Sequence, residues 1–521
     1  MESWYTRADL WVIFAYLAGM LLVAWRVSDK SRDAEGYTVG NRAMPGWAVG
    51  ISVLATFTSS ISFLGLPATT YAENWNRFVF SLTLPAAALI AVIWLVPLYR
   101  EGVRFSAYEF LESRFGYWAR AYAVVSYVAL QIVRVANVLL LVALAVAPML
   151  GWSIVGTIIL LGVIVIVYDT LGGIQAVIWT DVMQVVILLV GALWCLAVLV
   201  GGAEGGVQGF FESIPADRVS WGVWDKEAET SLPWWNVGTL AHSTVLVVLI
   251  YGVTENLRNY GTDQNYVQRV LAARSTHEAS RSIWIGAWAY LPISAMFCLI
   301  GTALWLHYPT PPVVDGAAIT AEKVFPHFIQ TELPAPIAGL VIGAIMAAAM
   351  SSVDSSLNSS STVLFIDVVR RWRLAPRVSD IVVLRGTTIL LGILGTWLAV
   401  RFYQVFLAES ARIMDIWWKY AGVAGGGMFG LFLLAWLAPR TPRWAAALGV
   451  IASVPVLFWG LGIRIKFVAL LGWDLTPQKV LYGSLVGVAG TIAVIAVGLT
   501  GLLLVRLGIA TPNQSRDPSG E

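Results

Sequence analysis

The stretch Ala344–Thr362, AIMAAAMSSVDSSLNSSST, places seven serines, Asp354 and Asn358 inside an otherwise apolar segment that runs from about Pro334 to Val369. Hydrocarbon cannot solvate hydroxyls and a carboxylate, so these groups must face something else. On a helix, Ala348, Ser351, Ser352, Ser355 and Ser359 fall on one face. An apolar helix with one oxygen-rich stripe suits a hard cation such as sodium, bound by hydroxyl, carbonyl and carboxylate oxygens. The same small residues would also serve close helix packing. Two features favour the cation. One is Asp354. The other is a second polar run, ISVLATFTSSISFLGLPATTY, where Thr56, Thr58, Ser59, Ser60 and Ser62 precede Gly65 and Pro67. Such a run can unwind within a membrane because its hydroxyls re-satisfy freed backbone groups. An unwound turn offers carbonyls to a cation and amides to an anionic solute. The alternative is a proline-kinked helix with packing serines.

Arg134 lies deep in SYVALQIVRVANVLLLVALAV. An arginine at mid-membrane costs roughly 2.5–3.5 kcal/mol on insertion scales. A bidentate grip on a carboxylate solute would give that charge a purpose. A structural ion pair with Asp354 or Asp181 is the other reading. Asp181, in YDTLGGIQAVIWTDVMQVVILL, is either a cap at a helix start or part of a second cation site shared with the serine stripe. Asp415 and Lys419 have the spacing of an intrahelical ion pair. The polar connection Asn256–Ser275 could hold phosphate, but the chain has no Gly-rich nucleotide loop. It also has no HExxH, no GxSxG and no cysteine–histidine pairing. An ATP-driven pump and an intramembrane enzyme are therefore disfavoured, and no cofactor is expected beyond a coupling ion.

The elements that must position these residues are membrane helices. The chain is 58% hydrophobic and 12% charged, with a mean hydropathy of +0.75, whereas a soluble domain is nearer 25% charged. The net charge of +2 gives no reason to expect nucleic acid, and Cys195 and Cys298 form no disulfide framework or metal motif. The N-terminus lacks the basic region of a signal peptide, so the first apolar run is expected to be retained. Thirteen segments are long and apolar enough to span: 9–27, 46–71, 77–98, 119–148, 152–170, 178–200, 236–255, 277–308, 335–369, 380–404, 411–438, 441–464 and 479–507. Alternate connections are arginine-rich, with Arg26, Lys30, Arg32 and Arg42, then Arg100, Arg104, Arg114 and Arg120, then Arg258, Arg269, Arg274 and Arg281, then Arg370, Arg371, Arg373 and Arg377. The opposite connections are nearly bare of positive charge. The positive-inside rule then predicts an outside N-terminus and a cytoplasmic C-terminus. The loops 201–235 and 309–334 are expected to be ordered caps, and the tail 511–521 polar and disordered.

The motifs GWAVGISVLATFTSSISFLGLPATTYAENW, SAYEFLESRFG, QIVRVANV, YDTLGGIQAVIWTDVMQ, TDQNYVQRVLAA and AAAMSSVDSSLNSSST resemble, in order and over nearly the whole chain, the sodium:solute symporter family. Within it they are most similar to the bacterial sodium-coupled sialic acid transporters. The resemblance implies an all-α polytopic membrane protein of 13 transmembrane helices with the leucine-transporter-like inverted-repeat fold. It would be a single transporter domain, 1–510, with core repeats at about 46–200 and 236–438 and flanking helices at 9–27, 441–464 and 479–507.

The resemblance also implies roles. The main sodium site would use the carbonyls of Ala55, Thr58 and Ala348 and the hydroxyls of Ser351 and Ser352. A second cation site would use Asp181, Ser351, Asp354 and Ser355. The family pattern has serine where this chain has Asp354, which puts the coupling ratio in question and admits a proton as well as sodium. Arg134 corresponds to the arginine that grips the solute carboxylate, with Ser59 and Ser62 lining the same pocket. Phe57 stands where threonine is expected, and Arg77 and Ser81 where an aromatic residue and a glutamine are expected. Asn256 matches a pocket asparagine of the sugar-transporting branch, while Asn259, with Tyr260 beside it, replaces the inner-gate tyrosine.

The chain is thus expected to be a sodium-coupled symporter of the bacterial inner membrane, working as a monomer. Its solute would be an acidic sugar such as sialic acid, moved inward by alternating access. A neutral sugar of the glucose or galactose type, or another carboxylate, is the alternative solute. A membrane sensor with a transporter-like fold is the alternative class, and the short C-terminal tail leaves no signalling domain for it.

Overall fold

The computed structural model describes residues 6–103, 105–225, 230–231, 240, 243–314, 316–409, 425, 427–460 and 483–510. Arg104, the Asp415–Lys419 pair, the first half of segment 411–438 and the tail lie outside them. Among the described residues nine helices are long and apolar enough to cross a membrane: Arg7–Ser28, Trp75–Gly102, Tyr117–Met149, Ile154–Gly201, Thr276–His307, Ile337–Arg370, Asp380–Val405, Arg443–Gly460 and Gly483–Arg506. A tenth span is the bent pair Gly46–Phe57 and Ser62–Ala72, whose halves differ by 57°. Segment 236–255 of the sequence pattern corresponds to Val245–Thr262, and segment 411–438 is represented by Gly427–Leu437.

Ile154–Gly201 runs for 48 residues and covers two predicted segments, 152–170 and 178–200. Helical geometry is interrupted by a kink at Gly173, where φ is +54° and ψ is −151°. A side chain strains such a backbone. Space forbids one as well, since a Cβ there would lie 2.6 Å from the Tyr37 carbonyl oxygen and 2.8 Å from its ring.

The serine-rich helix Ile337–Leu364 is the hub. Every residue from Val341 to Val363 is buried. It packs against Ile154–Gly201, Tyr117–Met149, Arg7–Ser28, Gly46–Phe57 and Asp380–Glu409. Its hydroxyls therefore face protein, which is how a polar stripe survives in a bilayer. Its start is pinned to the first helix, because Asp9, from the Thr6–Asp9 capping box, accepts the Gly339 amide at 2.8 Å. Peripheral helices instead expose rows of apolar residues, such as Val186, Val190, Leu193 and Trp194, or Ile389, Ile393 and Trp397.

The two ends differ. At one, the loop after Gly201 docks over the broken helix. Asn74 donates to Ser220 Oγ and the Gly222 carbonyl, each at 2.8 Å, and Arg218 stacks 4.1 Å over Trp305. The second expected cap contains a hairpin, Val313–Val314 with Ala317–Ala318, and the helix Ala321–Glu332, whose Phe325 stacks on Phe63 at 5.7 Å. At the other end the arginine-rich connections interlock. Arg100 donates to the carbonyls of Leu271 (3.1 Å) and Ala273 (2.9 Å), and Arg274 to that of Ala43 (2.8 Å). Arg120 bridges Glu112 (2.6 Å) and Asp367 (Nε, 2.8 Å), Ser106 donates to Asp367 (2.7 Å), and Arg371 pairs with Glu112 (2.5 Å). Here the serine-rich helix is tied to the start of Tyr117–Met149.

Candidate functional site

The helix Gly46–Phe57 stops where its sequence turns polar. Thr58 leaves the helical region with φ −93° and ψ +82°, and its amide bonds back to the Leu54 carbonyl at 2.9 Å. The next turn restarts with the amides of Ser62 and Phe63 on the Ser59 carbonyl. Between these ladders lie the carbonyls of Ala55–Thr58, which a continuous helix would have paired with the amides of residues 59–62. Two of them take side-chain donors: Arg134 Nη2 reaches Thr56 O at 3.4 Å, and Ser62 Oγ reaches Phe57 O at 3.3 Å. The break packs against the serine-rich helix. There Ser351 and Ser352 both direct their hydroxyls to the Ala348 carbonyl, at 3.1 and 3.5 Å. Hydroxyl oxygens that donate keep lone pairs for a cation. Ala55, Thr58, Ala348, Ser351 and Ser352 are all buried, and they lie on two stretches in contact, an arrangement that fits the donor preferences of a hard cation.

The expected second cation site is arranged differently from the sequence picture. Asp181 and Ser355 converge on Arg269, which donates to Asp181 (2.8 Å), Ser355 Oγ (2.7 Å), Ser52 Oγ (2.7 Å) and the Asn265 carbonyl (2.8 Å). Ser52 also hydrogen-bonds Asp181. Arg269 and Asp181 are 1% and 0% exposed, so a full guanidinium–carboxylate pair sits in the interior. Asp354 turns to the neighbouring helix, where its carboxylate accepts from Tyr168 OH at 2.8 Å, and it also accepts its own neighbour's amide, Ser355 N, at 2.5 Å. Asp169 is buried beside Asn358. By sequence pattern Arg269 falls among the loop charges, and neither Tyr168 nor Asp169 stands out. For Arg269 the available signal was its place in TDQNYVQRVLAA, where Asp263, Gln264, Asn265, Gln268 and Arg269 are all buried.

Arg134 pairs with neither Asp354 nor Asp181. Its partner is Asp263, at 3.9 Å, beyond hydrogen-bond length. Asp263 caps the helix Gln264–Ala272 through the Asn265 amide (2.9 Å) and accepts from Tyr127 OH (3.1 Å). The Tyr127 hydroxyl also lies 2.8 Å from Ser359 Oγ, which is 2.7 Å from Asn265 Oδ1. One nine-residue helix therefore touches the Arg134 region at its start and the Asp181–Arg269 pair near its end.

The remaining expected solute residues surround an aromatic cluster. Phe57 packs on Tyr266 (4.7 Å between centroids), Tyr260 (5.7 Å) and Tyr290 (5.8 Å). The Tyr290 hydroxyl faces Ser62 and Ser81, and Ser81 shares a 2.6 Å hydrogen bond with Ser294. Asn256 donates to Thr83 at 2.9 Å. Ser59 is buried beside the break. Arg77 stands one turn before Ser81, in the turn Trp75–Arg77. Of the two gate positions, Asn259 accepts from Arg258 at 3.1 Å, and Tyr260 is buried against Phe57 and Tyr266.

A broken helix packed on a serine-rich one, with a half-buried arginine at the break, is the architecture of a cation-coupled transporter. The description of the sodium:solute symporter family matches residues 37–452, and the chain belongs to that family. It is a transporter and not an enzyme. It is 33% identical over 467 residues to the sodium/sialic acid symporter SiaT of Proteus mirabilis (strain HI4320), covering 88% of this chain and 91% of that one. It is 30% identical to the sodium/sialic acid symporter NanT of Aliivibrio fischeri (strain ATCC 700601 / ES114), covering 86% of each. Among solved structures it superposes on a substrate-bound, outward-open Na+-coupled sialic acid symporter with a TM-score of 0.80 at 31% identity, covering 96% of this chain and 98% of the other. At 15% identity it shares the fold of Mhp1, a nucleobase-cation-symport-1 transporter of leucine-transporter-like architecture, with a TM-score of 0.53, covering 91% and 95%.

Proposed function

We propose that this chain is a sodium-coupled importer of a sialic-acid-type acidic sugar, with Arg134 as the group that holds the solute carboxylate. The observation that carries this reading is the position of Arg134. It is a half-buried guanidinium at the carbonyls of a broken helix, held among the described residues by one contact of 3.4 Å and one of 3.9 Å. A guanidinium so loosely engaged retains its fork for a planar anion. The sialic acid named for the relatives fits that chemistry better than a neutral hexose does. Ser59, Ser62, Ser81 and Asn256 supply polar contacts, Phe57 an apolar wall, and Arg77 a second positive charge near the outer end. Asn259 and Tyr260 serve as the inner gate.

Sodium binds first, between the carbonyls of Ala55, Thr58 and Ala348 and the hydroxyls of Ser351 and Ser352. This joins the broken helix to the serine-rich one and orders the solute pocket. A second cation enters at Asp181, Ser351, Asp354 and Ser355, with Arg269 moving aside. The bundle then opens inward. Each net charge crossing 100 mV contributes about 2.3 kcal/mol; two sodium ions with one carboxylate solute move one net positive charge, and the concentration gradient of both ions adds to that drive. The protein lies in the bacterial inner membrane with its arginine-rich face in the cytoplasm, N-terminus outside, and thirteen spans across the two inverted repeats and flanking helices. It works as a monomer. Thermal stabilisation of the purified protein by sialic acid, glucose, galactose and propionate, with and without sodium, tests the solute class. Stabilisation by the neutral sugars alone would overturn it.

A further inference from the structure

We infer that Asp263 is an internal stand-in for the solute carboxylate, resting against Arg134 and leaving the guanidinium's unused donors to an anionic solute when one arrives; this rests on the proposed function above. The pair lies deep in the protein, with Arg134 17% and Asp263 4% exposed at the side chain. Burial normally pulls a guanidinium and a carboxylate into a close, bidentate contact of about 2.7–2.9 Å. Here they stay 3.9 Å apart. The carboxylate is also divided between partners. Oδ1 is committed to the Asn265 amide, as the cap of Gln264–Ala272, and to Tyr127 OH, which leaves Oδ2 alone to face Arg134. The second contact of Arg134, to the Thr56 carbonyl, is 3.4 Å long. Arg134 is thus neutralised without being saturated. A mobile carboxylate can present both oxygens to the fork and outcompete a partner that presents one.

The device has two consequences. Without solute, the interior holds a compensated charge, which avoids stranding a lone guanidinium. With solute bound, Asp263 remains beside Arg134 as a like charge to the incoming carboxylate and weakens its binding, which favours release. Its other bonds are to the cap and to Tyr127, so it does not need to move far.

Asp263→Asn and Asp263→Ser test this, because both side chains still cap a helix while removing the charge. Binding of sialic acid, of its methyl ester and of propionate is measured on the purified full-length protein by thermal stabilisation in saturating sodium. Both variants are expected to bind the two carboxylates about 5- to 10-fold more tightly, the low end of inter-site couplings, and the neutral ester with unchanged affinity. A purely structural role would weaken all three ligands or leave all three unchanged, and either result overturns the inference. If propionate tightens while sialic acid binds neither wild type nor variants, the role of Asp263 stands and the sialic acid reading fails.

Discussion

Arg269→Ala is expected to strand Asp181. The guanidinium makes four hydrogen bonds of 2.7–2.8 Å, and its carboxylate partner is fully buried. Removing one member of a buried ion pair costs about 3–5 kcal/mol, because the other charge is left without compensation. Arg269→Ala belongs at the upper end of that range, since Ser355, Ser52 and the Asn265 carbonyl lose their contacts too. Adding Asp181→Asn removes the stranded charge, so the double variant should recover part of the loss, with a coupling of roughly 0.5–3 kcal/mol. The assay is thermal unfolding of the purified protein in detergent, first without sodium and then across a sodium series. Sodium is expected to restabilise Arg269→Ala more than wild type, because a free cation can then take the place between Asp181 and Ser355 that the guanidinium holds. Additive single effects, together with a sodium response equal to that of wild type, would refute the idea that Arg269 occupies a cation position.

Arg134→Ala should weaken a carboxylate solute by at least about 2 kcal/mol, or roughly 30-fold, while stabilisation by sodium alone persists; calorimetric titration with sialic acid checks this. Asp354→Ser removes the carboxylate held by Tyr168. Charge moved per solute, measured electrically on proteoliposomes, should change if Asp354 takes part in a second cation site. Gly173→Ala should destabilise the protein by more than about 1 kcal/mol, because the backbone is at φ +54° and the Tyr37 carbonyl lies 2.6 Å from the new Cβ; unfolding temperature reads it directly.

The parts of the site legible in the sequence were those where polarity contradicted hydrocarbon. The serine stripe at 351–361 and the run at 56–62 stand out because a bilayer gives them no partner. The structure buries the first completely and breaks the helix at the second. Arg134 was visible for the same reason, but its counter-ion was not. Asp263 sits in a polar connection, and only the start of the helix Gln264–Ala272 brings it to Arg134. Arg269 and Arg120 fall, by sequence, among the loop charges that set orientation, yet one is buried against Asp181 and the other against Asp367. Composition cannot distinguish an arginine that faces the cytoplasm from one folded inward. The predicted gap at 171–177 is also instructive, because the break there is confined to a single non-helical residue, Gly173, and helical geometry continues on both sides.

Uptake of labelled sialic acid into proteoliposomes of the purified protein is the most direct test. An inward sodium gradient should drive accumulation above equilibrium, an inside-negative potential should increase it, and dissipating the gradient should abolish it. Uptake that ignores the sodium gradient, or the absence of any sialic acid uptake in its presence, would contradict the account.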